Sequence, residues 1–399
     1  MSKSTAIPVF TREANLKRRL RRHLAKLGFE RAPNGGLVLP GTSKEVVREL
    51  HYAQRQERLE QNQKFVSANL QHLIKYFAFG NDIDPHKINP LLQRVRSNTW
   101  ESDLFRLAAL TWSVPVSNGF GRRLRYLVWD QSNEKLMGIL AIGDPVFNLS
   151  VRDRLIGWSG ADRAQRLTNI LDAYVLGAIA PYNNLLCGKL VAALLRSREI
   201  YNDFTSEYGN TIGVISGEQK KSRLLAITTS SSMGRSSVYN RVKLDGVQYL
   251  TSIGYTGGWG HFHIPHDLFN DLRDYLREIE HPYADMHKFG EGPNWRLRTT
   301  RAALDELGFK ADMLKHGIQR EVFICQLASN SLKILKDGKG KPDLSTLLTA
   351  NEVSALALTR WVIPRSESRT EYKEWTRDDL LNSLSVNIRN FERQIARTA

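Results

Sequence analysis

The sequence predicts an α+β protein: a mixed α/β central domain (residues 111–290) between a basic helical N-terminal region (1–110) and a helical C-terminal region (291–399). Three observations carry this. Leucines recur at helical spacing near the start. From about Trp112, short runs rich in branched and aromatic side chains alternate with helical stretches. Helical periodicity returns from Arg301 onward.

The elements follow in order. Leu16, Leu20, Leu24 and Leu27 stand at i, i+4, i+8 and i+11, the spacing of one helical face. Pro33-Asn34-Gly35-Gly36 signals a loop, and Thr42 or Ser43 caps a long polar helix, with Glu45 placed for a capping box on Thr42. Phe65, Leu70, Leu73, Ile74 and Phe77 form a second stripe, so 11–100 reads as helical throughout. Strands are expected over 125–130 and 136–143, joined by a turn at Asn133-Glu134, and over 172–179, 224–229 and 247–253. Helices are expected over 183–197, 236–241, 301–307, 312–335 and 378–390.

Charge and composition narrow the function. The chain holds 57 Lys and Arg against 41 Asp and Glu, a formal +16, which favours a polyanionic partner over a merely soluble basic surface. The first thirty residues concentrate it: Lys3, Arg12, Lys17, Arg18, Arg19, Arg21, Arg22 and Lys26 face only Glu13 and Glu30. With the leucine stripe turned to the core, Lys17, Arg18, Arg19, Arg21 and Arg22 form a solvent-facing comb, and guanidinium suits phosphate. Two cysteines, Cys187 and Cys325, cannot build a disulfide framework or a Cys-rich zinc site. No stretch approaches the roughly 18 apolar residues of a membrane span. Met1-Ser2-Lys3-Ser4-Thr5 lacks the apolar core of an export signal. A reduced, cytoplasmic, membrane-free protein is expected.

Several constellations carry possible chemistry. Arg152-Asp153-Arg154 followed by Trp158 offers two guanidiniums around a carboxylate and an indole on which a base could stack; the same residues also make a structural ion pair over a buried tryptophan. Arg122 and Arg123 precede a strand on which Arg123 and Arg125 share a face, extending a basic strip. Gly188-Lys189 lacks the Ser or Thr and the leading Gly of a phosphate loop, so ATP hydrolysis is not expected of this chain. His261 and His263 share a strand face with His266 nearby, but the adjacent Asp267 stands at an expected helix start, where it would cap, and no metal is expected. A Mg²⁺-dependent nuclease would draw on Asp144, Asp153, Asp172 and Glu218-Gln219-Lys220.

Two resemblances add to this. The order of a strand (174–179), a loop (180–183), a helix from about Asn184 and a second strand resembles the GNAT N-acetyltransferase fold, making the central domain GNAT-like. That resemblance implies an anion site at Asn184, Gly188 and Lys189, and Tyr239 as general acid. Only Gly188 of that family's phosphate loop is kept, so no cofactor is expected. Over nearly the whole length, Trp112-Ser113-Val114-Pro115-Val116-Ser117, Gly121-Arg122-Arg123 and Gly143-Asp144-Pro145-Val146-Phe147-Asn148-Leu149 resemble the DruA family of the bacterial Druantia anti-phage defence system. So do Pro181-Tyr182-Asn183-Asn184-Leu185-Leu186, Gly234-Arg235-Ser236-Ser237-Val238-Tyr239-Asn240-Arg241 and Gly258-Trp259-Gly260-His261-Phe262. This resemblance implies antiviral defence beside other Druantia subunits, one of them a large helicase-like protein, and carries no catalytic residues with it. The expectation is a nucleic-acid-binding subunit, DNA before RNA. The alternative is an enzyme, either a degenerate acyltransferase or a metal-dependent nuclease using Asp144, Asp153 or Tyr239.

Overall fold

The structure is a computed structural model that describes residues 11–31, 33, 37–38, 44–212, 219–257, 263–285, 295–309 and 318–386. In chain order the first elements are α1 (Arg12–Lys26), the short pair β1 (Glu30–Arg31) and β2 (Leu37–Val38), α2 (Lys44–Leu73), β3 (Pro90–Val95) and α3 (Trp100–Leu110). Next come β4 (Arg123–Asp130), β5 (Lys135–Gly143), α4 (Ser150–Ile156), α5 (Gly160–Arg166), β6 (Ile170–Ala178), α6 (Cys187–Ala193) and α7 (Arg198–Tyr208). The pair β7 (Asn210–Ile212) and β8 (Gln219–Lys221) leads to β9 (Ala226–Ser230), the pair β10 (Lys243–Leu244) and β11 (Val247–Gln248), and β12 (Thr251–Tyr255). The chain then runs through α8 (His266–Glu278), α9 (Trp295–Glu306), β13 (Glu321–Gln326), α10 (Ser331–Asp337), α11 (Ala350–Ala357), α12 (Ile363–Ser368) and α13 (Arg377–Leu384). It divides into two compact units, Met1–Gln54 with Gly257–Gln319, and Arg55–Thr256 with Arg320–Ala399.

The first unit is helical. Thr11 starts α1 by accepting the Ala14 N–H on its hydroxyl at 3.3 Å. Leu16, Leu20 and Leu24 are then buried, as their spacing predicts, and Leu27 at the C-cap is half-buried. Each fully buried leucine contributes about 1.5–3 kcal/mol. Leu268, Phe269, Leu272, Tyr275 and Leu276 form the buried face of α8. Phe269 meets Trp295 of α9 edge-on at 5.3 Å between ring centres. The proposed caps Thr42 and Ser43 lie outside the described residues.

The second unit is built on a seven-stranded sheet in the order β12-β13-β9-β6-β5-β4-β3. Every pairing is antiparallel except β6 with β9. Interior strand β5 is apolar along most of its length because both its faces are covered. Met137, Leu140 and Ile142 pack among residues from α6 and α11, while Leu136, Ile139 and Ala141 pack among residues from α2 and α3. Gly138 permits the close approach of α6, since a Cβ there would stand 2.7 Å from a Val191 methyl and 2.8 Å from the Gly177 carbonyl oxygen. The parallel register of β6 and β9 ends at Asp172–Thr228, and β6 continues to Ala178. Past that point Thr229 donates its hydroxyl to the Ala173 carbonyl at 2.9 Å, and Tyr239 donates to the Leu176 carbonyl at 2.8 Å.

The α+β class is as expected, but several elements differ, three of them in ways that matter for the sheet and the candidate site. Residues 321–326, expected within a helix, form β13, paired on both sides by β9 and β12. Glu321-Val322-Phe323-Ile324-Cys325-Gln326 is a short apolar run, and such runs bury equally well as helix or strand. Residues 90–95 form edge strand β3 within a stretch expected to be all helix. Residues 236–241 form a turn instead of a helix, because the Ser236 hydroxyl accepts the Tyr239 N–H at 2.9 Å and Arg241 takes a left-handed φ of 60°.

Candidate nucleic-acid interface

On α1 the basic comb splits into two sets. Asp267, Asp271 and Glu278 stand along one stripe of α8. Arg19 pairs with Asp267 at 3.1 Å and with Asp271, and Arg12 pairs with Glu278. Arg19 is thus ion-paired within its own unit, which sets it apart from the other cations of the comb. Lys17, Arg18, Arg21 and Arg22, with Ala14, are the described residues lining a concavity of about 620 Å³. Arg18, Arg21 and Arg22 are exposed; Lys17 is half-buried, 3.7 Å from Glu13. Arg18 donates to the Asn15 side chain at 3.1 Å, and the Arg21 guanidinium lies 5.7 Å from the Phe309 ring centre. Four cations gathered on one stretch of helix, with Glu13 3.7 Å from Lys17, make a local positive field that a phosphate chain would neutralise.

In the sheet-bearing unit the arginines divide the same way. Arg152 is fully buried, and its guanidinium is spent: Nε on Asp153 at 2.8 Å, Nη1 on the Val146 carbonyl at 2.9 Å and Nη2 on the Phe147 carbonyl at 2.8 Å. Asp153 accepts a second guanidinium, from Arg163, at 2.7 Å. Beneath them Trp158 is 8% exposed and donates its indole N–H to the Leu335 carbonyl at 2.8 Å. Of the two roles the sequence allows these residues, the geometry fits the structural one: Arg152 is fully buried on Asp153 and two backbone carbonyls, and Trp158 is almost fully buried. Arg154 remains exposed on α4. Arg122 clamps Asp144 at 2.7 Å and donates to the Thr168 carbonyl at 2.9 Å, joining the end of β5 to the segment before β6. Arg123 is exposed and Arg125 half-buried on one face of β4, as strand alternation predicts.

At the start of α6 the three anion-site candidates are separated. Asn184 is exposed, and its carbonyl accepts from Arg365 at 3.1 Å. Gly188 lies beneath Val238, whose methyl would stand 3.3 Å from an added Cβ. Lys189 donates its ammonium to the Asn240 carbonyl at 2.6 Å. Burial, with the Asp172 carboxyl nearby, raises the Tyr239 phenol above its ordinary pKa, and its hydroxyl donates to the Leu176 carbonyl. As placed, it ties the turn after β9 to β6, with its hydroxyl hydrogen engaged there.

The described carboxylates proposed for metal chemistry are each held by other partners. Asp144 and Asp153 are occupied by arginines. Asp172 accepts the Thr228 hydroxyl at 2.6 Å, and burial raises its pKa to about 6. Glu218 and His261 lie outside the described residues. Among the described residues no three His, Cys, Asp or Glu side chains come together as metal ligands. Both cysteines are free and buried, which pushes the Cys325 thiol up to about 12. No described helix is long and apolar enough to cross a membrane.

Sequence reasoning missed Arg241 and Arg360, which stand beside Lys189. The only hint was the position of Arg241 in a string shared with the resembled family; Arg360 has none, because tertiary packing alone brings it there.

Comparison with known proteins gives two matches. The family model described as Druantia protein DruA matches residues 41–337. A Druantia protein DruA from Escherichia coli (strain UMEA 4076-1) is 61% identical over 388 residues, covering 97% of this chain and 96% of that protein. No solved structure matches.

Proposed function

The chain belongs to the DruA family of Druantia proteins, components of an anti-phage defence system, and from that premise we propose that it is the subunit that binds nucleic acid, DNA before RNA, and presents it to a helicase-like partner. One observation carries this reading: Lys17, Arg18, Arg21 and Arg22 line a single concavity on α1 while Arg12 and Arg19 are neutralised by α8. Ion pairing with α8 fixes the helix, so the remaining cations are held in place before a ligand arrives. Contacts of this kind hold the sugar-phosphate backbone and read no sequence. Exposed Arg123 and Arg154 are further candidates for phosphate contact in the sheet-bearing unit.

β6 followed by α6 and paired in parallel with β9, with α7 and the β7–β8 pair between, supports the likeness to the acetyltransferase fold. Acyl transfer itself draws no support, since Tyr239 is committed to Leu176. Metal-dependent cleavage draws none from Asp144 and Asp153, each committed to arginine.

The test is binding of duplex and single-stranded DNA across a salt series, with Mg²⁺ present to reveal cleavage. A steep decline of affinity with salt and intact DNA supports the reading. Affinity independent of salt, or DNA fragments in the wild type that vanish on Asp153→Ala, would overturn it.

A further inference from the structure

We infer that Lys189, Arg241 and Arg360 form a second phosphate-binding site, carried by the sheet-bearing unit alone, that takes the backbone of nucleic acid. The identity of the anion rests on the nucleic-acid reading above; the site itself rests on placement. Lys189 of α6 makes two contacts that bring its neighbours to it. Its ammonium donates to the Asn240 carbonyl at 2.6 Å, and it lies 5.8 Å from the Trp361 ring centre. Arg241 follows Asn240 and Arg360 precedes Trp361, and both lie near enough to Lys189 to act on its ammonium electrostatically, so three separate segments bring cations to one neighbourhood. Arg241 and Arg360 are exposed.

The arrangement is built and costly. Arg241 holds a left-handed φ of 60°, uncommon for a side-chain-bearing residue. Before it, Asn240 is anchored by its amide donating to the buried Glu321 carboxylate at 3.2 Å. Among the described residues no carboxylate pairs with Lys189, Arg241 or Arg360. Burial, reinforced by Arg241 and Arg360, holds the Lys189 ammonium below the usual lysine range. Like charges gathered without a counter-ion repel one another, and a bound phosphate removes that cost. The planar fork of arginine matches phosphate oxygens in pairs, with lysine as a point charge between.

The test uses the full chain, with duplex DNA, a single-stranded oligonucleotide, ATP and inorganic phosphate as probes. Arg241→Gln with Arg360→Gln alters only exposed side chains. It should weaken duplex binding about tenfold at physiological salt and reduce the salt slope by about 0.9 per lost contact. The melting temperature should hold, and the double lysine variant should keep most of the slope. Arg18→Gln with Arg21→Gln and Arg22→Gln, made separately, tests α1. Loss in the α1 variant alone overturns this site and leaves the proposed function standing; loss in the Arg241/Arg360 variant alone supports this site and removes α1. Loss of ATP and phosphate binding with oligonucleotides unaffected overturns the assignment to nucleic acid. Equal binding of every probe by variant and wild type overturns the site.

Discussion

Replacing Trp158 by alanine separates a core indole from a stacking platform. The side chain is 8% exposed, packs among Ile156, Ile170, Leu225, Ile324, Ile334 and Leu335, and donates to the Leu335 carbonyl at 2.8 Å. Truncation removes nearly the whole indole from the core, leaves that carbonyl without its donor, and takes away the ring 5.8 Å from the buried Arg152 guanidinium. Loss of a buried Trp of this kind costs about 3–5 kcal/mol. For a unit of this size each kcal/mol lowers the melting temperature by roughly 2–4 °C, so a fall of about 6–20 °C is expected. Trp158→Phe keeps most of the apolar contact and loses the N–H, at about 1–3 kcal/mol for the stranded carbonyl. Thermal unfolding followed by circular dichroism gives the stability, and DNA binding is measured below the transition. The expected result is early melting with wild-type affinity. An alanine variant that melts like wild type yet binds DNA more weakly, by the ~1–3 kcal/mol of a lost base stack, would refute the core assignment.

Three further outcomes follow from the same geometry. Arg19→Gln disrupts only the pairing with Asp267 and Asp271, so the salt slope of DNA binding should stay at the wild-type value, whereas Arg22→Gln should lower it by about 0.9; equal slopes for the two variants would erase the division of the comb. Arg152→Lys keeps a charge beside Asp153 but cannot reach both the Val146 and Phe147 carbonyls, and should cost about 3–5 kcal/mol by chemical denaturation; a loss below about 1 kcal/mol would show those carbonyls to be satisfied otherwise. The Asp172 pKa of about 6 lies above the ordinary 3.8, so the folded state holds a proton that the unfolded chain releases, and its contribution to stability falls as pH rises from about 4 to 6. Asp172→Asn should flatten that part of the profile and melt higher than wild type at pH 7; parallel profiles would place the titration elsewhere.

Periodicity and charge made much of the local structure legible. The spacing of Leu16, Leu20 and Leu24 determined a helix and the face it buries, and the turn at Asn133-Glu134 between apolar runs determined the β4–β5 hairpin. The position of the basic comb on α1 followed from the same spacing. The family, too, was legible in the strings around Trp112, Gly143, Pro181 and Gly234. Which cations of the comb α8 neutralises was not. Arg19 meets Asp271 across 252 residues of sequence, and nothing local to α1 distinguishes it from Arg18 or Arg22. The same limit hid β13, whose apolar run declares burial without declaring whether its backbone pairs along a helix or across to β9 and β12. It also hid the cluster at Lys189, assembled from three segments that only the packed sheet and its covering helices bring together. Sequence specified which surfaces are apolar and which charged, because side-chain chemistry and period are local. Tertiary structure decided which charges are neutralised, because an ion pair depends on where the distant chain returns.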